Sequence, residues 1–226
     1  MTNIKLMVFN LVGISCLMMN FSLSAQTLKG KITLTGKNAD KANIEETVIY
    51  FKPDKSTDTM PLIQPHKVEM IGKKYTPRVS AITVDSEIQI PNHDSILHNA
   101  FSLSKPNDFD LGLYKNSEGK RHTFSEPGLV RIFCNVHYHM VAYVLVLDTP
   151  YYTQANSDGS FSLDNLPTGK GKLIIWHERS RKKIKTIDLP VEGELNLNLK
   201  VTKRRIPKHK NKSGKSYKKK RRRGRY

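Results

Sequence analysis

FCNVHYHMVAYVLVL, Phe133 to Leu147, places one thiol, two imidazoles and one thioether between Cys134 and Met140 and follows them at once with an apolar run. Only one other cysteine exists, Cys16, inside an N-terminal apolar stretch. That stretch, "LMVFNLVGISCLMM" after Lys5 and before the small residues "FSLSA", has the pattern of an export signal over residues 1–25, with cleavage expected after Ala25. Cys134 would then be the single cysteine of an exported chain. Such chains normally use cysteines in pairs. A lone thiol there is buried and inert, pairs with another chain, or is held as a thiolate by a metal.

Cys134, His137 and Met140 stand at i, i+3 and i+6 between two predicted strands, "LVRIF" and "VAYVLVL". A loop joining two strands can turn three such side chains toward one point. A fourth ligand must come from elsewhere, and His98 in "NHDSILHNAFSLS" is the best candidate, with Asn99 beside it. Two imidazoles, a thiolate and a weak thioether are the donor set of a blue copper centre. Zinc accepts cysteine and histidine but seldom methionine. His139 keeps a second arrangement open, Cys134 with three histidines, so Met140 and His139 both remain candidates for the axial position. Buried Cys and Met also fill cores; the joint spacing, flanking strands and upstream histidine favour the metal. His93 lies near His98, while His66, His122 and His177 read as surface or hydrogen-bonded residues.

Outward from this loop the chain alternates with period 2. "LKGKITLTG", "ITVDSEIQI" and "LNLNLKV" each read as a strand buried on one face, whereas "TVIYF", "VAYVLVL" and "KLIIWH" are dense enough for burial on both. Turn signals separate them, and "PNDFDLGLYKNSEG" reads as a helical turn or irregular loop. No long helical period follows the leader. The fold class is therefore all-β, built of short-strand sandwiches.

At these residues the sequence resembles the cupredoxins, the blue type 1 copper proteins. "CNVHYHM" before "VAYVLV", with "LHNAF" upstream, is similar to the short ligand loop of the amicyanin- and plastocyanin-like members. "ITVDSEIQIPN" and "FSEPGLVRIFC" are similar to the strands leading to the first histidine and to the cysteine. Val136 departs from the family's proline before the second histidine. The resemblance spans about residues 68–148, within a domain of residues 66–148, and implies a Greek-key sandwich, one copper ion on His98, Cys134, His137 and Met140, and Asn99 tying the two ligand loops together. Exported proteins of the methylamine-utilisation type are similar. "NSDGSFSLDNLPTGKGKLIIWHE" resembles the carboxypeptidase regulatory-like, or transthyretin-like (prealbumin-like), sandwich. Its first strands would be "GKITL" and "TVIYF" within residues 27–60 and its remainder residues 149–201, so that the copper domain is inserted within it, with tandem order as the alternative.

Four protein ligands leave no open position for substrate. No GxSxG, HExxH or glycine-rich phosphate loop is present. The chain reads as a non-enzymatic, exported, periplasmic carrier of single electrons between protein redox partners. The alternative is a copper-binding module for storage, delivery or sensing. Charge adds one further element. Residues 203–226 carry 14 Lys or Arg and no acid, while residues 26–202 set 23 basic against 20 acidic residues. The tail, residues 202–226, is expected to be disordered by self-repulsion. It suits an anionic membrane surface or an acidic protein. Export and the scarcity of stacking aromatics disfavour nucleic acid.

Overall fold

The structure is a computed structural model that describes residues 26–55 and 63–217. The expected leader with its cleavage site, and tail residues 218–226, lie outside the described residues. Seventeen strands follow in chain order: β1 Gln26–Thr35, β2 Thr47–Pro53, β3 His66–Lys67, β4 Glu69–Ile71, β5 Lys74–Thr76, β6 Val79–Thr83, β7 Glu87–Asn92, β8 His98–Ser102, β9 Phe109–Tyr114, β10 Ser117–Thr123, β11 Gly128–Phe133, β12 Val141–Leu147, β13 Tyr152–Gln154, β14 Ser160–Leu166, β15 Gly169–His177, β16 Lys183–Leu189 and β17 Leu195–Lys200. Two single 3₁₀ turns, Ala39–Lys41 and Ile44–Glu46, are the described helical elements. The chain is all β. Among the described residues no helix is long and apolar enough to cross a membrane.

Four sheets stack as layers. The first has the order β14-β1-β17 and the second β13-β2-β15-β16. The third is β6-β12-β11-β8-β9 and the fourth β10-β7-β4-β5, with β3 also on β7. Thus β1 and β2 share sheets with β13–β17, and every strand between them belongs to the other two sheets. Leu28, Phe51, Phe161, Leu173 and Leu197 fill the core between the first two sheets. Met70, Ile90, Phe124, Ile132 and Val144 fill that between the third and fourth. A third apolar layer, including Val48, Tyr143, Leu145 and Trp176, joins the second sheet to the third.

This middle layer explains the dense apolar strands. In β12 every residue is buried. Ala142, Val144 and Val146 point into one core; Val141, Tyr143, Leu145 and Leu147 point into the other. Alternation along a strand sends successive side chains to opposite faces, so a strand sandwiched between two cores must be apolar at both parities. β2 behaves likewise, with Ile49 and Phe51 on one side and Val48 on the other.

Two expectations are corrected. "ITVDSEIQI" is two strands in different sheets, because Asp85 adopts φ 63° and turns the chain between β6 and β7. A short polar side chain tolerates that left-handed conformation better than most. The stretch from Pro106 contains β9 and the start of β10, not a helical turn.

Candidate metal centre

Cys134 follows directly on the end of β11, and His98 opens the neighbouring β8. The loop between β11 and β12 is short and closed on itself. The Cys134 amide donates to the Met140 carbonyl at 3.3 Å, and the Met140 amide donates to the His137 carbonyl at 3.1 Å. These bonds hold His137 over the thiol. His98, Cys134 and His137 converge, with one ligand atom of each within 4.8 Å of the others. The two Nδ1 atoms are 3.1 Å apart, and Cys134 Sγ lies 4.0 Å from that of His98 and 3.9 Å from that of His137. A circle through three points so spaced has a radius of roughly 2.1 Å, the length of ordinary metal–imidazole and metal–thiolate bonds. The three atoms could therefore hold one ion between them. Cys134 and His98 are fully buried, and His137 is half-buried.

Met140 is fully buried in the same core as Cys134, whereas His139 is exposed. The turn before β12 produces this difference: His139 sits in the turn, exposed, and Met140 at its end enters the core. Val136, where the resemblance expects a proline, ties the loop. Its amide donates to Cys134 Sγ at 3.5 Å, a contact that proline has no N–H to make.

Asn99 is fully buried but does not tie the ligand loops together, contrary to expectation. Its Nδ2 donates to Asp110 Oδ1 and to the Gly112 carbonyl, both at 2.8 Å, so it joins β8 to β9. Among the described residues its Oδ1 is buried without a partner. The residue that orients a ligand is Asp94, which the sequence reading missed. Its Oδ2 lies 2.7 Å from His98 Nε2. With Nδ1 kept for a metal, Nε2 would carry the hydrogen and donate it in a hydrogen bond to Asp94, which would fix tautomer and ring orientation. Asp94 also accepts from the Gly72 and Lys73 amides at 2.8 and 2.9 Å. Those residues have φ of 58° and 61° and form the tight turn between β4 and β5. The Lys73 amide above all, then His98 and the Gly72 amide, hold the Asp94 carboxyl down at about 2. The available signal was a carboxylate four residues before the histidine. His93 points elsewhere, to Glu69 at 3.3 Å.

Of the tail expected to be disordered, residues 202–217 are described and lie against the sheets. Beyond β17 it runs from the first pair of sheets across the middle layer to the ligand loop. Thr202 and Lys203 amides donate to the Arg179 carbonyl, and Arg78 donates to the Arg205 carbonyl at 2.6 Å. The His209 ring then lies between Phe133 and Tyr138, at 4.2 and 4.4 Å between centroids and within 15° and 5° of parallel. Tyr217 donates its hydroxyl to the Cys134 carbonyl at 2.9 Å. Burial, followed by the Cys134 charge, pushes Tyr217 up to about 12, so it remains a donor at ordinary pH.

No protein-family model matches the chain, and no curated protein matches it. Solved structures do show similarity. A purple cupredoxin from Nitrosopumilus maritimus aligns with 36% of this chain and 99% of its own, at 21% identity and a TM-score of 0.34. A reduced amicyanin mutant aligns with 36% of this chain and 80% of its own, at 20% identity and a TM-score of 0.34. A copper-containing nitrite reductase from Thermus scotoductus SA-01 aligns with 52% of this chain but 28% of its own, at 19% identity and a TM-score of 0.36.

Proposed function

We propose that the chain is an exported, cupredoxin-like copper protein that carries single electrons and performs no chemistry on a substrate. The observation that supports this is the triangle of His98 Nδ1, His137 Nδ1 and Cys134 Sγ. Copper suits it because soft sulfur favours Cu(I), imidazole favours Cu(II), and copper heads the divalent affinity order. Bound copper would supply the one-electron cycle between those states. His98, Cys134 and His137 would hold it, with the thioether of buried Met140 as the candidate fourth donor. The protein's part is to hold those atoms nearly fixed, through Asp94 behind His98 and the loop bonds around Cys134. Full burial of Cys134 and His98 favours a resident ion over one handed to an acceptor. Export rests on the leader sequence, and the host sandwich is read as transthyretin-like from its motif.

The experiment is visible spectroscopy of the copper-loaded chain. The parent should show an intense thiolate-to-copper charge-transfer band. Cys134→Ser should abolish it, and an unchanged spectrum would refute the assignment.

A further inference from the structure

The docked tail is a feature that an electron carrier does not require. Residues 207–212 alternate in a way composition hides. Pro207, His209 and Asn211 are part-buried, while Lys208, Lys210 and Lys212 are exposed. The segment thus has an inner face that grips and an outer face of cations. The grip lies on the ligand loop itself. Tyr138 stacks on His209 and donates to the Pro207 carbonyl at 3.3 Å. Asn135 Oδ1 accepts the Lys212 amide at 3.1 Å, and Tyr217 reaches the Cys134 carbonyl. Of the outer lysines, Lys212 pairs with Asp110 at 2.6 Å. Residues 203–226 hold no acid to neutralise the others.

We propose that this strap is the recognition surface of the copper site, and that its occupant is a protein with an acidic face. The proposal rests on the electron-carrier reading. A lipid surface draws in a basic segment whatever its conformation. Ordering the chain costs conformational entropy at every residue. A fixed strap is useful where the bound object must be held in register with His137, as a protein exchanging electrons must be. Charge complementarity across such a contact speeds and orients the encounter. The cations ride on the loop that carries Cys134 and His137, so docking on them brings an acidic partner to the metal's edge.

The probes are poly-L-glutamate and vesicles containing phosphatidylglycerol, read by amide NMR on the Cu(I)-loaded full chain and repeated without metal. Poly-L-glutamate should shift the strap and Asn135–His139 together. Lys208→Glu/Lys210→Glu/Lys215→Glu should weaken that binding at least tenfold. His209→Ala/Tyr217→Phe keeps every lysine. It should bind within about threefold of the parent but no longer shift Asn135–His139. A parent whose loop stays unshifted overturns the proposal. So do vesicles that bind more tightly than the polymer and draw the strap off the loop, which would assign it to a membrane. Because the shifts are also read without metal, their failure is distinct from a missing charge-transfer band.

Discussion

Replacing Asp94 with alanine tests whether the metal affinity is set partly outside the ligands. In the folded chain His98 is fully buried and its Nε2–H has one acceptor, Asp94 Oδ2 at 2.7 Å. Removing it leaves a buried donor unpaired, at a cost of about 1–3 kcal/mol. Without metal the ring escapes that cost by moving its proton to Nδ1 or rotating. Binding an ion to Nδ1 restores it. The penalty therefore falls on affinity, roughly 5- to 150-fold, in line with the 10- to 100-fold loss typical of such supporting residues. Asp94→Asn retains an acceptor and should lose roughly tenfold or less. Competition against a chromophoric Cu(I) chelator measures the affinity. A parallel urea melt measures what is lost when the Gly72 and Lys73 amides lose their acceptor, about 1 kcal/mol for exposed partners. Asp108→Asn is the control, an exposed carboxylate paired with Lys105. The reasoning is refuted if Asp94→Ala binds Cu(I) within twofold of the parent, or if the control loses as much.

Three further outcomes are expected. Val136→Pro removes the N–H donor to Cys134 Sγ, a bond that favours the electron-rich sulfur of the reduced state. At about 0.5–1.5 kcal/mol for one hydrogen bond, the potential should fall by roughly 20–65 mV in voltammetry; a rise would contradict the contact. Met140→Leu preserves volume, so its urea stability should stay within about 1.5 kcal/mol while the visible spectrum and potential change. His139→Ala should leave both alone, and the reverse pattern would make His139 the axial ligand. Glu46 is raised to about 7 by burial and then by the charge of Glu178, with Arg205 at 3.5 Å opposing. Its folded pKa exceeds its unfolded value near 4.5, so the stability it contributes is complete below pH 4.5 and disappears as pH rises through 7. Glu46→Gln should flatten that decline in urea melts and be more stable than the parent at pH 8, by on the order of 1–3 kcal/mol; a parent with flat stability from pH 5 to 8 would contradict it.

Much of this was legible in the chain, for definite physical reasons. Period-2 alternation exposes β1 and β17, because each has one wet and one dry face. The ligand loop is legible because it is local: Cys134, His137 and Met140 are fixed by three-residue steps. Its partners are not. Asp94 reads as an ordinary loop acid until the turn at Gly72–Lys73 is folded against it. The break at Asp85 was hidden because both flanking strands keep the same alternation. Asn99 was misplaced because resemblance supplied its role, while here Asp110 and the Gly112 carbonyl compete for its amide. Averaging the tail's composition hides the rings among residues 203–217. Fourteen cations suggest repulsion, but among the described residues His209 stacks between Phe133 and Tyr138, with Tyr217 edge-on to both His209 and Tyr138.

The strand β12 carries a consequence for how this chain changes over evolutionary time. None of its seven positions faces solvent, so no site there drifts neutrally. A change at Tyr143 or Leu145 must be answered across the middle layer, at Val48 or Trp176; a change at Ala142 or Val144 must be answered among the residues packed with the metal loop. The two sandwiches therefore cannot diversify independently. Lineages that remodel the host surface facing β12 inherit a constraint one residue away from Met140, and paired substitutions across that layer are where an alignment of descendants would record it.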